Sequence, residues 1–147
     1  MIQRTQTVYL FFAAVLMLAT TFFPVMGFWP DGSSVCMVDL FSLGFLSGLV
    51  CTGFDLIAGI LALIAIFLYK KRKLQIKFCY GVLVTIVLLY ISIFGSYSSI
   101  ASKLGEGATF FPKMALGFPL IAFVLVFMAI SGIKNDEKIV NSADRIR

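Results

Sequence analysis

The 147 residues contain no histidine. This absence removes Ser-His-Asp and Cys-His catalysis, imidazole metal ligation and the commonest general base near neutral pH. Cysteine is scarce. Cys36, Cys51 and Cys79 form no C-x-x-C pair, so a thioredoxin-like or quinone-linked dithiol motif is excluded. Charge is scarce too, at 13 % of residues against about a quarter in a soluble domain. There is no Walker lysine, no metal-ligand cluster and no pair of catalytic carboxylates. Gly105-Glu106-Gly107 is a lone G-x-G without the rest of a dinucleotide fingerprint. No fixed-period repeat is evident, and no polar segment is long enough to carry a core of its own.

What remains is apolar. Hydrophobic residues make up 61 % of the chain and the mean hydropathy is +1.03, a composition that belongs in a membrane. The formal net charge is +5. Nucleic acid is not the implied partner, because the basic residues border apolar runs instead of lining a groove with interleaved aromatics. Their placement reads as a topology signal.

Residues 7–26 carry no charge and have about the 20 residues that a helical span needs. A signal peptide is the rival reading, but the apolar core is too long and no A-x-A-like site follows. Residues 27–47 form a first outer loop, with Phe28 and Trp29 suited to the headgroup level and a turn at Pro30-Asp31-Gly32. Within it, residues 35–45 fit either half of a small hairpin or an early start to the next span. The second span is 49–69, followed by the loop KKRKLQIK at 70–77, with five basic residues in eight. Residues 78–95 form the third span and 96–112 a second outer loop rich in Ser and Gly. Residues 113–133 form the fourth, with Pro119 inside it, which frees the carbonyl of Ala115. The tail is 134–147.

Counting Lys and Arg orients the spans. Arg4, Lys70, Lys71, Arg72, Lys73, Lys77, Lys134, Lys138, Arg145 and Arg147 fall on one side, ten in all, against Lys103 and Lys113 on the other. That asymmetry places both termini and the middle loop in the cytoplasm. The expected fold is an all-α membrane protein of one domain. It is an up-down bundle of four transmembrane helices with cytoplasmic N and C termini and a short amphipathic C-terminal helix. That helix follows from Ile139, Val140, Ala143 and Ile146 at helical spacing, capped by Asn135 or Asp136. It rests on the membrane face or docks a cytoplasmic partner.

Chemistry has few places to sit. Asp55 is the one charge well inside a span, six residues from its outer end, about 9 Å at helical rise. Such an acid is a functional hypothesis by default. The same depth on the other spans reaches Thr20 and Thr21, Tyr90 and Ser92, and Pro119, which together would make one polar layer facing the interior. Asp55 is then either a proton or cation site or a hydrogen-bonded structural acid, with Lys113 as its neighbour. The structural reading is favoured, since coupled sites usually show more than one acid. Gly44-x-x-x-Gly48 has the spacing of close helix packing, continued by Ala58, Gly59 and Ala62. It serves a homo-oligomer interface or, by preference, packing within the bundle. Cys36 and Cys51 share the outer side, as a pair or, by preference, as free thiols, and Cys79 is inert.

The two ends are more specific than the middle. The opening MIQRTQTVYLFFAA and the closing KNDEKIVNSADRIR resemble a family of small four-span inner-membrane proteins from Bacteroidetes-type bacteria, catalogued as a domain of unknown function. The resemblance covers nearly the whole chain. It implies the same fold and a bacterial inner-membrane location, and no activity. It directs attention to Ile2, Gln3, Arg4, Asp136, Glu137, Asp144 and Arg145, which match the family pattern and all fall on the cytoplasmic side. Arg4 can pair there with Asp144 or Glu137, a contact worth roughly 0–1 kcal/mol if exposed. The functional expectation is a non-enzymatic scaffold or accessory subunit with no cofactor and an unidentified membrane or cytoplasmic protein partner. The alternative is a small ion- or proton-coupled transporter or channel using Asp55.

Overall fold

In a computed structural model the described residues are 3–29, 36–40, 45–104 and 109–144. Four helices dominate: α1 (Gln3–Phe22), α2 (Phe45–Phe67), α3 (Arg72–Leu104) and α4 (Phe118–Asp144). All four are long and apolar enough to cross a membrane, over Thr5–Phe22, Ser47–Phe67, Arg72–Tyr97 and Met114–Ile139.

The helix ends follow from local chemistry. Pro24 disfavours helical backbone at the residue before it, and α1 stops at Phe22, short of the expected span end at 26. A 3-10 turn, Leu68–Lys70, closes α2, with the Lys71 N–H donating to the Leu68 carbonyl at 2.9 Å. The α3 helix begins at once at Arg72, so the basic segment expected as a loop is mostly its first two turns. At its other end α3 runs through the serines of the expected outer loop to Leu104, one residue before Gly105, a usual helix stop. The fourth helix opens with a 3-10 turn, Met114–Gly117, and α4 proper starts at Phe118. Pro119 therefore sits in a first turn, where its missing N–H has no intrahelical partner to lose. The Ala115 carbonyl, which Pro119 leaves without an α-helical donor, accepts from the Phe118 N–H that closes the 3-10 turn. The tail is likewise not a separate amphipathic helix: no breaker follows Gly132, and α4 continues unbroken to Asp144.

The buried residues mark one stripe on each helix at alternating spacings of three and four. On α1 it passes Gln6, Leu10, Ala13, Met17 and Thr20; on α2, Cys51, Asp55, Ala58, Ala62 and Ala65. On α3 it passes Cys79, Val82, Ile86, Leu89 and Ile93; on α4, Ala122, Val126, Ala129, Ile133 and Asp136. That spacing is the seam of knobs-into-holes packing. The α2 stripe is small and the α3 stripe large, so the two interdigitate. Each helix packs on two neighbours: α1 on α2 and α4, and α3 on α2 and α4, with α3 on α4 the least extensive pair. Met17 and Leu18 face Gly59 of α2, Leu61 faces Gly81 of α3, and Gln6 faces Gly132 of α4. Close approach over small residues is how helices associate where no hydrophobic drive separates them from lipid. The outward faces carry large apolar side chains, among them Phe11, Ile60, Ile91, Val124 and Phe127, each more than half exposed.

The all-α expectation holds for the four helices, and the chain adds a small sheet to them. Three short strands form one antiparallel sheet at the end of the bundle where α1 finishes: β1 (Met26–Trp29) lies between β2 (Cys36–Val38) and β3 (Thr109–Pro112). Val25 extends the pairing, its N–H donating to Val38 O at 3.0 Å and its carbonyl accepting from Lys113 N at 3.2 Å. Gly27 pairs directly with Phe111, and a Cβ on it would come within 2.4 Å of the Phe111 ring. The ring covers the glycine, so a side chain at position 27 would have to displace it. Pro112 closes an edge strand, the place a sheet tolerates proline.

Candidate functional site

Asp55 is completely buried in the seam between α1 and α2. Thr21, in the last turn of α1, donates its hydroxyl to Asp55 Oδ2 at 2.7 Å. Asp55 Oδ1 is buried with no hydrogen-bond partner among the described residues. Lys113 is not its counter-charge: the Lys113 ammonium lies over the Phe111 ring, 4.9 Å from its centre. The Lys113 backbone is tied to the sheet, its N–H donating to the Val25 carbonyl.

The expected polar layer is only partly assembled. Thr21 and Asp55 meet. Thr20 is buried but returns its hydroxyl to the Leu16 carbonyl at 2.9 Å. Tyr90 donates to the Leu116 carbonyl at 2.5 Å, and so binds α3 to the turn before α4. The Ser92 carbonyl accepts from the Ser96 hydroxyl at 2.8 Å. Hydroxyls inside a helix compete poorly for distant partners because the carbonyl one turn back is always in reach. Thr52, on Gly48 O at 2.6 Å, does the same. Cys51 lies one turn from Asp55 on the same face, beside Ser96, as a buried free thiol. Cys79 is also free and buried. Gly48 is buried within the chain, and Gly44 lies outside the described residues.

The opposite end of the bundle holds a second acid. Asp136, nearly buried at 8 % exposure, accepts from Gln6 Nε2 at 2.6 Å across α1 and α4. Sequence reasoning chose Asp136 as a cap of the tail helix and passed over Gln6, whereas Asp136 lies inside α4. The signal was there: Gln6 lies four residues before Leu10 on the buried stripe. Arg4 belongs to α1 and Asp144 is the last residue of α4, while Arg145 is outside the described residues. Glu137 is half-buried beside Asp136. Also missed were Tyr80 and Lys134, where the ammonium donates to the phenol oxygen at 2.7 Å and stands 5.3 Å from the ring centre.

Between α3 and α4 the packing opens into a groove of about 500 Å³, lined by Ile86, Val87, Tyr90, Ile91, Phe94, Leu120 and Phe123. Its one polar group is the Tyr90 hydroxyl. Among the described residues no three His, Cys, Asp or Glu side chains come together as metal ligands.

The family model of a domain of unknown function, DUF4293, matches residues 2–146. The chain belongs to that family. The DUF4293 match takes in all four helices and the sheet, as well as Gln6, Asp55 and Asp136. No curated protein and no solved structure matches the chain. Chemically, the Asp55 site of this DUF4293 chain offers a proton acceptor and a helix-to-helix hydrogen bond, with a neutral hydroxyl as its one bonded partner.

Proposed function

We propose that the chain is a multi-pass protein of a bacterial inner membrane that acts as a non-enzymatic scaffold or accessory subunit. Its helices cross up and down, with both ends and the α2–α3 turn in the cytoplasm. The observation that carries the scaffold reading is the enclosure of Asp55: a completely buried acid bonded to a neighbouring helix holds a bundle together. The contacts Thr21 with Asp55 and Gln6 with Asp136 join the end of α1 to the first half of α2 and the beginning of α1 to the second half of α4, which supports alternating directions. The charge asymmetry supports the orientation, and the large apolar outer faces suit a hydrocarbon surround. A homo-oligomer or a foreign subunit would dock on those faces.

Purification of a tagged native copy in mild detergent tests this. A partner recovered in fixed stoichiometry is the expected result, and free monomer alone argues against it. One observation favours the second reading, a proton- or cation-coupled transporter: Asp55 Oδ1 has no partner among the described residues. Proton or cation flux into liposomes that is lost in Asp55→Asn would establish it. Flux unchanged in that variant removes the residue from any such role.

A further inference from the structure

The α2–α3 turn gathers cations in one short segment. Lys71, Lys73 and Lys77 are exposed and Arg72 is half-buried, and no ion pair joins any of them among the described residues. The first turn of α3 holds no acidic residue, so these charges add to the positive end of the helix macrodipole instead of offsetting it. The acids of this end are occupied or few. Asp136 is bonded to Gln6, and the rest are Glu137 and Asp144.

The cations are also aligned. Lys73 and Lys77 are four apart on α3 and Tyr80 three further on, so the three share one face. Tyr80 then receives Lys134 of α4. The result is a strip of three ammonium groups and one phenol along the α3–α4 seam. Toward the other end of the molecule the same α3 face continues as Val84, Val87, Ile91 and Phe94, all exposed and apolar. The last three line the open groove against Leu120 and Phe123. Large branched and aromatic side chains there leave no small residue for another helix backbone to approach. They suit a flexible hydrocarbon chain.

We propose that this strip is a binding site for an anionic phospholipid. The headgroup phosphate sits among Lys73, Lys77 and Lys134, and an acyl chain lies along the α3–α4 seam toward the groove. Charge complementarity selects the occupant, since basic pockets between helices on the cytoplasmic side hold anionic headgroups. A zwitterionic lipid offers no net charge to them. The site rests on the membrane orientation proposed above.

The test reconstitutes the full chain in nanodiscs of phosphatidylcholine with or without phosphatidylglycerol, and counts retained lipids by native mass spectrometry after detergent stripping. Wild type is expected to keep phosphatidylglycerol in preference to phosphatidylcholine. Lys77→Gln with Lys134→Gln is expected to weaken that retention about 30-fold, and Lys113→Gln at the opposite end to leave it unchanged. Equal retention of both lipids, or a double variant that retains as wild type does, overturns the site. Alkaline carbonate extraction separates this outcome from failure of the membrane reading. A chain that stays in the pellet while showing no preference has lost the lipid site alone, and a chain that extracts has lost the membrane reading with it.

Discussion

The two ends of the bundle hold their acids differently. Near the sheet, Asp55 is completely buried, bonded to Thr21 through one oxygen and orphaned at the other. At the far end, Asp136 keeps 8 % exposure and is bonded to an amide. The first end is further fixed by three strands and by the Tyr90–Leu116 bond. The second is open to cations and to the Tyr80–Lys134 contact on its surface. The sheet end is therefore tied by more contacts between elements, and the basic end presents charged side chains on its surface. Loss of a partner costs most where water cannot replace it, so variants at the sheet end should be the more damaging.

The largest effect is expected at Gly27. Gly27→Val drives a side chain into the Phe111 ring and should cost about 3 kcal/mol, read as an earlier transition in dodecyl sulfate unfolding. A loss below about 1 kcal/mol would show that the sheet contributes little. Next comes Thr21→Val, which leaves Asp55 with no donor at all and should cost about 2 kcal/mol, with Thr21→Ser near wild type. The double variant Thr21→Val, Asp55→Leu should recover most of the loss, because no buried polar group is then unpaired; failure to recover would mean that Asp55 has partners beyond Thr21. Gln6→Leu exposes Asp136 to the same deficit, but at the rim, and should cost about 1 kcal/mol. If it costs more than Thr21→Val, the ranking of the two ends is reversed. The smallest effect is Tyr80→Phe, which removes an exposed contact and should shift unfolding by no more than about 0.5 kcal/mol.

Much of this was legible in the residues. Four apolar runs became four helices because length and hydropathy are properties of single segments. The depth count found the Thr21–Asp55 contact because equal depth on sequential helices brings side chains together. Thr20 turns its hydroxyl back to its own helix, and Tyr90 reaches Leu116 instead of the acid. The sheet was only partly legible: half of a hairpin was one of two readings for residues 35–45, where β2 lies, but β1 and β3 are some eighty residues apart and have four residues each, too short for a period to declare itself. Helix ends erred where one residue decides them, as Pro24 did for α1 and the run of basic residues did for α3. Gln6 escaped because a neutral amide carries no charge to count, although it sits on the buried stripe.

The account depends on the direction in which the four helices cross a membrane. Single cysteines placed at position 71 and position 114, in a chain with Cys36, Cys51 and Cys79 replaced by alanine, report this directly. Both sites are exposed, Met114 at 87 %. In intact cells opened only at the outer envelope, a membrane-impermeant maleimide should label Met114→Cys, and should label Lys71→Cys only after the inner membrane is permeabilised. Labelling of Lys71→Cys before permeabilisation, or equal labelling of the two, would contradict the orientation and with it the cytoplasmic placement of the basic end.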